Sequence, residues 1–290
     1  MLEPIRRTTP VTENLFNVFE TESEFHDAWL TACTDDDGNV LADQTELALA
    51  GGAIADRLAW VFVSGYQAAV RRCFPELVTG NGWTCLAAAE GRGGPGCSLT
   101  AAGDDFLLRG EKSWIAGAGV LETLVVLVAD AGQTDGPCFV GVSARAPGVT
   151  LDLPRAPGFL GEMSQGVARF DEVEVAGEAV LREPARRLHF RGAEPLFVLL
   201  ALNACLKAHD SGRTELAARA ERAIDHGRAL PEVLGDKAAI LSGLAELRTL
   251  TASTVAAAAD AIAASSSLSD SWQKDARLFE MFGIAGEAEA

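Results

Sequence analysis

Side chains able to do chemistry are plentiful in this 290-residue chain, but few fall into a spacing that names a reaction. The six cysteines stand at 33, 73, 85, 97, 138 and 205 and form no C-x-x-C pair. They read as reduced thiols that pack as small hydrophobes. The four histidines, His26, His189, His209 and His226, show no H-E-x-x-H or comparable metal spacing. No G-x-S-x-G elbow is present, so Ser-His-Asp hydrolysis on an α/β-hydrolase sheet is unsupported. The Gly-rich run GRGGPG, Gly91–Gly96, has the composition of a phosphate cradle. It neither opens a helix as G-x-G-x-x-G nor continues into Gly-Lys-Ser/Thr, and a turn between strands is the simpler reading.

The elements that must position any site fall into three stretches. The middle one holds short apolar runs at Trp83–Ala88, Phe106–Leu108, Ser113–Ala116 and Leu124–Val128, separated by GRGGPG, AAGDD and GAG. Further runs follow at Pro137–Ser143, Gly148–Leu153 and Gly166–Val175, the last alternating with period two. Runs of this length bounded by Gly, Pro and Asp predict an antiparallel sheet with one buried face, closed as a small barrel or stacked as a sandwich. Before it, Thr12 can cap a first helix bearing Phe25 and Trp29, and Asp43 opens a helical pattern running to about Cys73, ahead of Pro75. After it, helical spacing covers Ala193–His209, Thr214–Ala229, Pro231–Ala264 and Ser271–Phe282. The expected class is α+β, with a helical N-terminal domain (1–82), a central β-domain (83–183) and a C-terminal helical bundle (184–290).

The charge balance, 24 Lys+Arg against 41 Asp+Glu, gives a net −17 and argues against a nucleic-acid partner. A local cluster of Arg and backbone N–H groups can still bind an anion. The N-terminus has no apolar signal-peptide core, and the most apolar run, Pro195–Leu206, is too short to span a bilayer. Scattered thiols and a large core read as a cytoplasmic protein.

The order of the central motifs adds more. Ala89-Glu90-Gly91 precedes the Gly-rich turn. Then come Thr100-Ala101, Gly110-Glu111-Lys112-Ser113-Trp114-Ile115, the run Leu124–Val128, Pro147-Gly148-Val149 and Phe170-Asp171-Glu172-Val173-Glu174-Val175. Near the C-terminus stands Lys274-Asp275-Ala276-Arg277. This succession resembles the acyl-CoA dehydrogenase family, as a shortened and divergent member. The resemblance covers residues 83–183 well and the flanking helices loosely.

The family likeness implies FAD between the β-domain and the bundle, an acyl-CoA or related acyl thioester against the flavin, and a homo- or hetero-oligomer. It implies α,β-dehydrogenation: a carboxylate takes the α-proton and the β-hydrogen leaves as hydride. Carried over residue by residue, the cofactor contacts fall on Ala88, Ala89, Glu90, Trp114, Ile115 and Ala116. Three hydroxyls of the family pattern are missing, replaced by Ala89, Pro95 and Ala116. At about 0.5–1.5 kcal/mol for each absent hydrogen bond, FAD is expected to be weakened or lost. The family's common base position reads Gly283. Its alternative position, at the start of the first bundle helix, points to Glu194 as the base. With Pro195 beside it, Glu194 is expected in the first helical turn, where the macrodipole would lower its pKa. The other reading open here is a non-catalytic member that pairs with an active relative or binds an acyl thioester.

Overall fold

The computed structural model describes residues 19–91, 96–129, 136–153, 158–209, 214–264, 270 and 272–284. Helix α1 (Glu22–Ala32) opens on a reciprocal cap. Thr21 Oγ1 accepts from Glu24 N at 3.2 Å, and Glu24 Oε2 accepts from Thr21 N at 3.0 Å. The Thr12 cap lies outside the described residues. Asp43 does cap the next helix, its Oδ1 accepting from Thr45 N at 2.7 Å. The single helix expected from Asp43 to Cys73 is instead two, α2 (Gln44–Ile54) and α3 (Leu58–Cys73). Ala55 and Arg57 between them are extended, and Asp56 turns inward to accept from Phe19 N and from both arms of the Arg57 fork.

Of the barrel and the sandwich that the pattern allows, the closed barrel is not formed. Two four-stranded sheets are present, ordered β1-β4-β5-β8 and β2-β3-β7-β6. Their strands are β1 (Trp83–Ala87), β2 (Ser98–Ala102), β3 (Asp105–Ala116), β4 (Leu121–Val128), β5 (Cys138–Ser143), β6 (Val149–Asp152), β7 (Gln165–Val175) and β8 (Val180–Leu181). The pairing is antiparallel except for β1 with β4, which run parallel. Two runs read separately in the sequence, Phe106–Leu108 and Ser113–Ala116, belong to one twelve-residue strand, β3. Its polar middle faces β7 across irregularities at Leu108/Gly110 and Ser113/Ile115.

Strand β1 is an edge, and helix α3 covers it. Gln67 pairs with Thr84 as a neighbouring strand would, donating to its carbonyl at 3.1 Å and accepting from its N–H at 2.8 Å. From the preceding residue, the Tyr66 hydroxyl accepts from Leu86 N at 2.9 Å. An unpaired edge buried in a core costs free energy, and these side chains remove that cost.

Helix α4 (Arg186–Ala208) packs on α2 and α3. The helices touch backbone to backbone: a Cβ on Gly65 would fall 2.4 Å from Val198 Cα, and one on Gly52 2.3 Å from Ala201 O. Helix α4 begins well before the expected Ala193, so Pro195 lies inside it. The extra turns bury Phe190 and Ala193, which offsets the one backbone bond that Pro195 cannot make. Helices α5 (Thr214–Arg228), α6 (Lys237–Ala264) and α7 (Arg277–Phe282) complete the described chain. No helix among the described residues is long and apolar enough to cross a membrane.

Candidate active site

The candidate residues converge on the seam where α3 and α4 meet β1 and β3. Trp114 sits at the second irregularity of β3 with φ at 57°. A bulky residue in left-handed backbone is strained, and such strain concentrates where a side chain must be re-aimed. The half-buried Trp114 ring packs edge-on against Phe62 of α3, centroids 5.9 Å apart. Phe62 stacks on Tyr66 at 5.5 Å, and Tyr66 meets Phe190 of α4 edge-on at 5.8 Å. Four rings thus run from the β3 bulge to α4.

Glu194 lies one turn of α4 beyond Phe190. It stands in the interior of that helix, not in its first turn, so the expected dipole effect is corrected. Burial instead pushes its carboxyl up to about 7, and no hydrogen bond or ion pair to a described residue opposes this. Two further titratable groups share the seam. The Tyr66 phenol is raised well above its usual range by burial, then by Cys85, with a smaller push from Glu194. The Cys85 thiol is pushed up to about 11 by burial, partly offset by its hydrogen bonds with Tyr66 and with the Ala116 backbone. Tyr66 Oη lies 3.5 Å from Cys85 Sγ. The motifs do not single out Tyr66 or Cys85; the one available signal is that Tyr66 is the only tyrosine of the chain.

The six cofactor positions separate into two groups. Ala88 is half-buried, and Ala89 and Glu90 are exposed where the chain leaves β1. Ser113 N donates to Ala89 O at 2.9 Å, tying this exit to β3. Glu90 is held from below by Lys112, whose fully buried ammonium reaches Glu90 Oε1 at 2.9 Å. Ile115 and Ala116 are buried, so their side chains belong to the core. Pro95 lies outside the described residues. Gly283, at the family's common base position, ends α7 in left-handed backbone at φ 69°, with its N–H bonded to Glu280 O. Its role is a helix stop, which glycine fills without strain.

The seam carries the kinds of group that hold a flat, apolar ring with a polar edge. The bulged Trp114 offers it an aromatic face, the β1 exit offers backbone groups beside Glu90, and Glu194 is a carboxyl left without a partner. Hydroxyls at Ala89 and Ala116 are absent, so any grip comes from backbone and aromatic contact. Among the described residues no group of three or more His, Cys, Asp or Glu side chains is placed to hold a metal.

No protein-family model matches the chain. No curated protein matches either. Solved structures do match by fold. The dibenzothiophene monooxygenase TdsC from Paenibacillus sp. A11-2, in its indole-bound form, superposes with a TM-score of 0.65 at 13% identity, covering 90% of this chain and 85% of that one. An FAD-dependent dehydrogenase superposes at 0.60 and 12% identity, covering 93% and 99%. The prolyl acyl carrier protein oxidase AnaB gives 0.58 and 13%, covering 83% and 81%. TdsC is also known with FMN and indole. Two of these neighbours are thus flavin proteins, and at such identities the likeness is one of fold.

Proposed function

We propose that this chain is a flavin-dependent oxidoreductase that dehydrogenates an acyl thioester, acyl-CoA or a related carrier-bound acyl group, with Glu194 as the proton acceptor. One observation carries the reading: a half-buried carboxyl that pairs with no described residue, raised to about 7, stands on α4 one turn from Phe190 and close to Tyr66 and Cys85, in the row of rings that ends at the strained Trp114. An isolated enclosed carboxyl is costly unless its proton has work to do. Near neutral pH it exists in both forms, which suits a base that must take a proton and later lose it. Ionised and poorly solvated, Glu194 is a stronger base than a free carboxylate and can take the acidic proton next to a thioester carbonyl. FAD would be held by the backbone of Ala88, Ala89 and Glu90, by the Trp114 ring, and by the backbone of Ile115 and Ala116. When bound, it would supply the hydride acceptor.

The test is anaerobic mixing of the FAD-loaded protein with a series of acyl-CoA thioesters. Bleaching of the flavin is expected, and Glu194→Gln should slow it by at least about 100-fold while leaving flavin content unchanged. Unchanged bleaching in Glu194→Gln would remove Glu194 from the chemistry.

A second reading rests on Ala89 and Ala116, which lack the hydroxyls, and on the burial of Ile115 and Ala116. In it the chain is a non-catalytic partner subunit, or an acyl-thioester binder, of a hetero-oligomer whose flavin is held by the other chain. It predicts colourless isolated protein that gains flavin only in the complex.

A further inference from the structure

An open cleft lies between the start of α4 and the first half of α6. Its cavity is about 200 Å³, with a floor of the buried Leu234, Ile240 and Leu244. Leu188 and Leu241, at 51% and 53% exposed, stand on its walls. Among the described residues only two other large apolar side chains are comparably exposed, Leu153 and Met281. Met281 precedes Phe282, whose carbonyl accepts from Arg248 Nε at 2.7 Å on the same cleft. Two of these four exposed apolar groups, Leu188 and Leu241, therefore line one cleft.

The charge of this place is opposite to that of the molecule. Arg191, Lys237 and Arg248 line the cleft, and no carboxylate does, in a chain with 41 acidic and 24 basic side chains. None of the three cations forms an ion pair with a described residue; nine other described Lys and Arg side chains do, among them Arg186 and Arg228. Cations that no described carboxylate pairs with, set around exposed leucines, are the complement of an acidic, amphipathic surface.

We propose that the cleft between α4 and α6 docks an acidic amphipathic helix of a partner protein, with apolar side chains entering between Leu188 and Leu241 and carboxylates meeting Arg191, Lys237 and Arg248. A groove between two helices accepts the ridge of a third, which is the helix-in-groove mode of recognition. The cavity is smaller than the usual 300–1,000 Å³ of a small-molecule pocket, but it has room for the side chains of a docking helix. A symmetric pairing of two copies of this chain would lay each cationic rim on the other, which like charge opposes. An anionic membrane would attract the rim but repel the net −17 of the whole chain.

The proposal stands apart from the flavin reading and is tested with the full chain. The probe is a fluorescein-labelled synthetic helix with leucines on one face and glutamates on the other, followed by fluorescence anisotropy. Scrambled and Leu/Lys versions serve as controls. Saturable binding of the Leu/Glu helix alone is expected, weakening with added salt. It should fall at least tenfold in Leu241→Asp and in Arg191→Glu/Lys237→Glu, whose changed side chains are exposed and leave the fold intact by circular dichroism. No binding, or equal binding of the scrambled peptide, overturns the proposal. So does self-association by sedimentation that Leu241→Asp abolishes, which would make a second copy the occupant. Binding to phosphatidylserine vesicles through the same residues, without peptide binding, would assign the cleft to a membrane and likewise overturn it.

Discussion

Two carboxylates bracket the candidate site and are treated in opposite ways. Glu90 is exposed, yet the protein fastens it with an ammonium group taken wholly out of water at Lys112. Glu194 is half-buried, yet nothing among the described residues pairs with it, and its carboxyl rises to about 7. The Lys112 charge can stay buried because it has a partner, so this pair acts as a clamp between the β1 exit and β3. The Glu194 charge is disfavoured by its surroundings, and such a group serves stability poorly and proton transfer well. The difference suggests which carboxyl holds the frame and which one works.

The comparison breaks most visibly at the clamp. Glu90→Gln leaves a buried ammonium without its counter-charge and is expected to destabilise by about 2–4 kcal/mol, read by urea unfolding at pH 7. An effect under about 0.5 kcal/mol would mean that water already satisfies Lys112. At Glu194 the sign reverses. The folded-state pKa lies above the unfolded value, so the folded protein holds the proton more tightly between about pH 4.5 and 7, and stability falls as pH rises through that window. Glu194→Gln should therefore stabilise by about 1–3 kcal/mol at pH 8, after allowance for its partial exposure, and by nearly nothing at pH 4. A variant less stable than wild type at pH 8 would mean that the carboxylate has a favourable partner.

A smaller effect is expected at the link between the two. Tyr66→Phe removes the oxygen that accepts from Leu86 N, leaving that buried N–H open, for a loss of about 1–2 kcal/mol. Hydrogen exchange at Leu86 should quicken along with it. Smallest of all is Lys112→Met, which replaces the buried ammonium by an apolar chain of similar length and leaves Glu90 free in water. A change within about 1 kcal/mol is expected, and the contrast with Glu90→Gln isolates the cost of an unpaired buried charge.

The frame of this site was legible in the sequence because short-range chemistry dictates it. Asp43 caps a helix, and the Phe170–Val175 alternation is that of a half-buried strand, β7. The Trp114-Ile115 motif fell where the seam is. What remained hidden was set by packing between distant segments. Asp56 breaks the helix after Asp43 because it has buried partners at Phe19 and Arg57. Pro195 is carried inside α4 because Phe190 and Ala193 have a surface to bury against. That shift moved Glu194 from a helix end, where its pKa would fall, into an enclosed turn where it rises. Tyr66 and Gln67 gave no local signal, since their task is defined by the open edge of β1. Strands β2 and β8 are too short and too polar or too isolated to show a period.

Whether the seam takes a flavin is tested most directly by the visible spectrum of the purified protein, titrated with FAD and then FMN. The expected result is the two-banded absorbance of a bound flavin, present on isolation or restored with saturation on titration, and disturbed by Trp114→Ala. A protein that is colourless when isolated alone and remains so after both additions would contradict the flavin site in this chain.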